Sequence, residues 1–264
     1  MCPSRAADRL PRARLGRTER KVRNLNLSQR WAFWLTIGGD VRFLSHHDMM
    51  RLVERAVLRA SLPVSFSQGF NPHPVVSLSC PRPVGVASEC DLLVAKFDSS
   101  DGSGEFAARL DEKLPQGVCC TGAFALEQGV SPRPVRMEFV MELDDDQIAP
   151  VRARLDELSG MEAWEVQRIV SVKRGRREKT VRTLDIAPLV DSLHVRDRSL
   201  DMVLTPSGDL WARPGEVLKL LDMDERTSMA RLVRTNIDYG LPSRQDDVCR
   251  GGIQNKIETE KSDD

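Results

Sequence analysis

The sequence predicts an α+β fold built from two ferredoxin-like βαββαβ units, the second less sharply marked, between two disordered tails. Three observations predict it. Hydrophobic periodicity between residues 31 and 126 reads strand, helix, strand, strand, helix, strand, the order of the split βαβ arrangement. A Pro132-Arg-Pro134 linker follows, and a similar order of elements resumes at Val135. The chain has 264 residues, of which 41% are hydrophobic and 30% charged, enough apolar material for one large or two small cores. The expected boundaries are a basic tail over 1–29, a first unit over 30–130, a second α+β unit over 135–240 and a tail over 241–264.

In the first unit, Trp31-Ala-Phe-Trp-Leu-Thr-Ile37 mixes aromatic and β-branched residues and then meets Gly38-Gly39, so it reads as a strand ending in a turn. Val41 to Leu44 is expected to continue it or pair with it. Ser45-His-His-Asp48 fits a capping box. Beyond it Met49, Leu52, Val53, Ala56, Val57 and Ala60 recur at helical spacing, and Pro63 ends the helix. Val64 to Ser67 reads as a short strand, Gln68 to Pro74 as a loop, and Val75–Cys80 and Asp91–Phe97 as strands around a Pro/Gly connection. Asp98 to Gly104 is a turn cluster, Glu105 to Leu114 a helix and Val118 to Leu126 a strand.

In the second unit, Val135–Leu143 reads as a strand, Gln147–Leu158 as a helix and Trp164–Val172 as a strand. Thr180–Ile186 and Leu200–Thr205 are further strands, Gly215–Leu221 is a short helix capped near Pro214, and Leu232–Ile237 is a final strand. The two units share an order of elements but no sequence repeat.

The 39 basic and 39 acidic residues cancel, so no global field draws the chain to nucleic acid or membrane. The charge is unevenly placed. Arg5, Arg9, Arg12, Arg14, Arg17, Arg20, Lys21, Arg23 and Arg30 face only Asp8 and Glu19, while the stretch from Asp246 to Asp264 is acidic. Such a basic arm is either a solvated tail or a polyanion binder acting through counterion release. Cys2, Cys80, Cys90, Cys119, Cys120 and Cys249 form no disulfide framework, which points to a reducing cytoplasm. No apolar run is long enough for a membrane helix, and the arginine-rich start lacks the apolar core of a secretory signal.

Four features carry possible chemistry. His46, His47, Asp48 and His73 fall on two loops that could converge, and such groups bind metals or relay protons. Their spacing is not that of a helical metal motif, in which ligands stand four apart. The structural alternative is that Ser45 and Asp48 cap the helix while His46 and His73 pin the proline-rich loop. No metal is expected; His46, His47 and His73 would be its ligands if there were one. Catalytic residues stay unassigned, with His46, Asp48 and His73 as candidates. Arg51, Arg55 and Arg59 stand four apart and form a ridge opposite the apolar stripe. Like charges at that spacing destabilise a helix slightly, and the ridge suits phosphate or carboxylate, with Glu54 and Asp48 neutralising part of it. Phe70 and Asn71 could stack on and hydrogen-bond a base, or the phenylalanine could be core. Lys173-Arg-Gly-Arg-Arg-Glu-Lys179 is a basic cluster around a glycine, either a phosphate contact or a hairpin tip. Phosphate-loop, dinucleotide and nucleophile-elbow motifs are absent, and Trp164 and Trp211 read as core.

The segments Val41-Arg-Phe-Leu-Ser-His46, Asp48, Glu54-Arg-Ala56, Ser67-Gln-Gly-Phe-Asn-Pro-His-Pro74, Pro83-Val-Gly85 and Ser88-Glu89 together resemble the radical-SAM-linked family of uncharacterised bacterial proteins. Gly69 to Pro74 is the most specific piece. Weaker matches at Lys179–Asp185 and Arg213–Val217 extend the resemblance over about residues 30 to 240. His47 departs from the family pattern, in which an apolar residue is usual, and Asp91 stands where a glutamate is usual. Members of that family occur beside, or fused behind, cobalamin-binding radical SAM proteins. The resemblance therefore implies a partner of that kind, which would carry the iron–sulfur cluster, S-adenosylmethionine and cobalamin, with no cofactor in this chain. Radical SAM chemistry needs three closely spaced thiolates, and the intervals among Cys80, Cys90, Cys119 and Cys120 do not offer them.

The expected function is accessory: recognition of an RNA or protein substrate for a radical SAM enzyme, in a setting such as tRNA or rRNA modification. Arg42, Arg51, Arg55, Arg59, Gln68, Phe70, Asn71, His73, Arg174, Arg176 and Arg177 would form the RNA-binding surface. Two alternatives are an RNA-modifying or RNA-cleaving enzyme using His46 and His73, and a purely structural interaction domain.

Overall fold

The computed structural model describes residues 28–98, 105–174 and 176–241, without the side chains of 171–178. Both expected tails fall almost wholly outside the described residues.

The first half comprises β1 (Gln29–Ile37), α1 (His46–Arg59), β2 (Val76–Leu78), β3 (Ala87–Phe97), α2 (Glu105–Asp111) and β4 (Val118–Leu126). β1 pairs antiparallel with β3 on one side and with β4 on the other. β2 pairs antiparallel with the far edge of β3. The parallel strands β1 and β2, joined through α1, thus have β3 inserted between them, and β3–α2–β4 is split in the same way by β1.

The second half repeats this order. It comprises β5 (Arg136–Glu142), α3 (Asp145–Ser159), β6 (Glu165–Arg174), β7 (Arg176–Asp185), β8 (Val190–Arg196), β9 (Ser199–Leu204), α4 (Pro214–Leu220), α5 (Glu225–Met229) and β10 (Val233–Asp238). β9 lies between β5 and β8, and β5 lies between β9 and β10, all antiparallel. The β6–β7 hairpin stands outside this sheet as an insertion between α3 and β8. β10 also pairs parallel with β3 through Val233↔Ala87 and Arg234↔Ser88, which fuses both halves into one 8-stranded sheet in the order β4-β1-β3-β10-β5-β9-β8, with β2 alongside β3.

The core explains why β1 is apolar without interruption. Trp31, Phe33, Leu35 and Ile37 face the α1 stripe of Met49, Leu52, Val53, Ala56 and Val57, while Ala32 and Trp34 pack into a second core shared with the other half. Burying each large side chain contributes about 1.5–3 kcal/mol. Phe106 meets Trp31 and Phe97 edge to face, each at 5.1 Å, Trp31 and Phe97 stack at 6.3 Å, and Trp34 lies 5.8 Å from Tyr239, just beyond β10.

Several boundaries differ from expectation. Val41 to Leu44 neither extends nor pairs with β1, because Gly39 (φ +52) breaks the strand and a 3-10 turn covers Gly39–Phe43. There the Gly38 amide donates to the Gly117 carbonyl at 2.8 Å, and a Cβ on Gly117 would come within 2.9 Å of the Gly38 oxygen. Glycine at 117 allows that crossing. The strand expected at Val64–Ser67 reduces to isolated bridges, Val64↔Phe97 and Phe66↔Pro74. Strand β8 and helix α5 were not anticipated. β8 is an edge strand with exposed Asp191, His194 and Arg196, so its apolar alternation is weak.

Candidate functional site

Ser45 caps α1 as expected: its Oγ accepts the Asp48 amide at 3.2 Å and donates to the Asp48 carboxylate at 2.7 Å. Asp48 reaches the cap hydroxyl rather than the cap amide. The His46 and His47 rings lie 6.1 Å apart, centroid to centroid. His73 is turned to its own loop. Its amide donates to Ser67 Oγ at 3.1 Å, and its Nδ1 lies 2.9 Å from that hydroxyl. Nδ1 also lies 3.4 Å from the Asn71 carbonyl, so the ring is held through this nitrogen from two sides of the loop. Among the described residues, no group of three or more His, Cys, Asp or Glu is placed to hold a metal ion. Of the two histidines expected to pin the loop, His73 does so.

The loop is a braced tip. The Ser67 amide donates to the His73 carbonyl at 2.8 Å, and the Phe66↔Pro74 bridge closes the stem. Residues 68–73 are all exposed, and Phe70 is fully so at 105% relative accessibility. That resolves the sequence ambiguity: Phe70 is not core. Arg51, Arg55 and Arg59 are exposed on α1. Arg51 lies 3.5 Å from Asp48, and Arg59 donates to the Lys113 carbonyl at 2.8 Å. No hydrogen bond or ion pair among the described residues joins this ridge to the loop. Arg42 belongs elsewhere. It is half-buried, its guanidinium lies 5.0 Å over the Phe43 ring, and its carbonyl accepts Arg82 at 2.7 Å. The side chains of Arg174, Arg176 and Arg177 lie outside the described residues; the backbone pairs 174 with 176 at the end of the hairpin.

A second site was missed. A cleft of about 450 Å³ opens where the two halves meet. Cys80 to Pro83 line it from the first half; Met137, Phe139, Trp211 to Gly215, Met229 and Arg234 line it from the second. Trp211, expected as core, packs against the core and lines this cleft. Arg234 is wholly buried. Its Nη2 donates to Asp91 Oδ1 at 2.5 Å, its Nε to Ser88 Oγ at 3.3 Å and its Nη1 to Cys80 Sγ at 3.2 Å. Burial is the largest single effect and opposes the charge on Arg234, but Asp91, with Cys80, Cys90 and Tyr239 behind it, raises its pKa overall. Burial pushes the Cys80 thiol up, against the pull of Arg234, so the sulfur stays protonated near neutrality. Burial likewise pushes Tyr239 up; its hydroxyl donates to the Cys90 carbonyl at 3.4 Å.

The β6–β7 hairpin is tied down beside this cleft. Arg168 makes a two-pronged pair with Glu216 at 2.8 and 2.6 Å and donates to the Trp211 carbonyl at 2.9 Å. Glu216 also accepts the Arg213 amide at 2.9 Å, capping α4. The signal for the missed site was present: an acid inside the apolar run Cys90-Asp-Leu-Leu-Val94, and an arginine at the inward-facing parity of Leu232. Charges at inward strand positions need partners.

The fold and the cleft define an α+β protein of two split βαβ halves joined along one sheet. The chain belongs to a family described as an uncharacterised protein conserved in bacteria, DUF2344, whose profile matches residues 30–214. No curated protein matches it. Among solved structures, an unknown protein from Galdieria sulphuraria is similar at 13% identity, covering 80% of this chain and 96% of that one, with a TM-score of 0.24. So distant a likeness says nothing about function. No described helix is long and apolar enough to cross a membrane.

Proposed function

We propose that this chain is an accessory recognition protein for a cobalamin-binding radical SAM enzyme, and that it engages an RNA substrate. The partner would supply the iron–sulfur cluster, S-adenosylmethionine and cobalamin. The observation that carries the reading is Phe70, a fully exposed aromatic at the tip of a braced loop. A ring with no packing role in its own chain, held on a stem stiffened by Pro72, Pro74 and the Ser67–His73 contacts, loses little entropy when it stacks on a base. Asn71 beside it offers base-edge hydrogen bonds, and the exposed Arg51, Arg55 and Arg59 offer phosphate contacts.

The test is binding of a fluorescein-labelled single-stranded RNA to the full chain. Phe70→Ala should weaken binding by about 1–3 kcal/mol without lowering the melting temperature. Unchanged affinity removes the loop from the reading. A second reading, an RNA-modifying or RNA-cleaving enzyme, draws on His73, whose ring is fixed through Nδ1. It prevails if His46→Ala and His73→Ala leave RNA binding intact and abolish turnover.

A further inference from the structure

We propose that the cleft between the two halves binds a small molecule with a flat, apolar body and one anionic group, the anion held by Arg82. This site is separate from the Phe70 loop and does not rest on the RNA reading.

The volume comes first. About 450 Å³ lies well inside the range of small-molecule sites and is too small for a folded partner element. The lining supplies the apolar body's contacts. Pro81, Pro83, Met137, Phe139, Trp211 and Met229 offer rings and thioethers that suit a planar hydrophobic ligand.

The charges select the ligand's other end. Three guanidiniums, Arg82, Arg213 and Arg234, line the cleft, against a single lining carboxylate, Glu225. Glu225 is engaged by Lys219 at 2.5 Å, and Asp91 is engaged by Arg234 at 2.5 Å. Arg82 has no carboxylate within ion-pair distance among the described residues. It gives Nη1 to the backbone carbonyls of Arg42, Pro83 and Val86, and its Nε is buried without a partner. A buried donor left unpaired is costly and marks a place where an acceptor belongs. Burial, with the neighbouring charges of Arg234 and Arg42, lowers the pKa of Arg82 despite the opposing effect of Asp91, the direction an added anion would reverse.

The probe is 8-anilinonaphthalene-1-sulfonate, a flat apolar body with one anionic group, titrated against the folded full chain. Its neutral counterpart, N-phenyl-1-naphthylamine, is the control. We expect saturable one-to-one binding of the sulfonate, with the neutral compound weaker by about ten-fold or more. Met229→Trp, which fills the cleft from a half-buried position, should abolish binding, and Arg82→Gln should erase the preference for the anion. Phe70→Ala should change nothing, which separates this site from the RNA reading. Absence of saturable binding, equal affinity for the two compounds, or binding untouched by Met229→Trp in a variant with a native near-ultraviolet circular dichroism spectrum would overturn the proposal.

Discussion

Arg234 and Asp91 set the terms at the scale of single residues. A buried guanidinium is tolerated because the carboxylate stands 2.5 Å away and both are sealed from water. Removing one partner strands the other. Asp91→Ala should therefore destabilise the protein by about 3–5 kcal/mol in urea denaturation, whereas Asp91→Leu with Arg234→Met should recover most of that loss. A double variant as unstable as the single one would mean that the pair contributes through something other than mutual neutralisation. Glu89, half-buried on β3, gives a pH signature. Burial raises its pKa, so the folded state holds the proton more tightly than the unfolded chain. Stability should then fall as pH rises from about 4 through the raised folded value, because the native state binds the extra proton only below it. Glu89→Gln should match the parent near pH 4 and melt higher at pH 7; equal melting at both would refute the assignment.

At the scale of elements, helices were legible where caps and stripes coincide, and strands where both faces are apolar. Ser45 and the stripe from Met49 to Ala60 located α1, which starts at His46 behind its cap and ends at Arg59, ahead of the expected stop at Pro63, and Ser45→Ala should cost about 1 kcal/mol in thermal or urea unfolding. The strand β1 was legible because Trp31 to Ile37 is buried on both sides. β8 was not, because an edge strand with one solvated face carries Asp191, His194 and Arg196 and no clean period. The turn at Gly38-Gly39 was legible, but the 3-10 stretch that follows it was not, since Val41 to Leu44 has strand composition and only the left-handed glycine before it forbids the strand. In the loop, Phe70 could be core or ligand platform until the Phe66↔Pro74 bridge placed it at a tip. The charges of the buried pair at the cleft left a local signal in Asp91 and Arg234, but the cleft itself did not, because its lining comes from residues more than a hundred positions apart, such as Cys80 and Met229, and no local pattern joins them. Glu216 links two elements at once, pairing with Arg168 and capping α4. Glu216→Ala should therefore lower the melting temperature more than Arg168→Ala does.

For the whole molecule, the joint matters most. β3 and β10 register through only two residue pairs, yet Trp34 packs on Tyr239, Cys80 on Met137 and Asp91 on Arg234 across it. A core shared in this way makes each half dependent on the other. Tryptophan fluorescence and far-ultraviolet circular dichroism should follow one coincident unfolding transition. Two separated transitions would show that the halves are stable independently.

The most direct test of the recognition reading is the salt dependence of RNA binding by the full chain and by an Arg51→Gln, Arg55→Gln, Arg59→Gln variant. Each phosphate contact on a single strand contributes about −0.7 to the slope of log affinity against log salt. The parent should show a steep negative slope, and the triple variant a slope shallower by about 2 with weaker binding throughout. A flat slope in the parent, or an identical slope and affinity in the variant, would contradict the account.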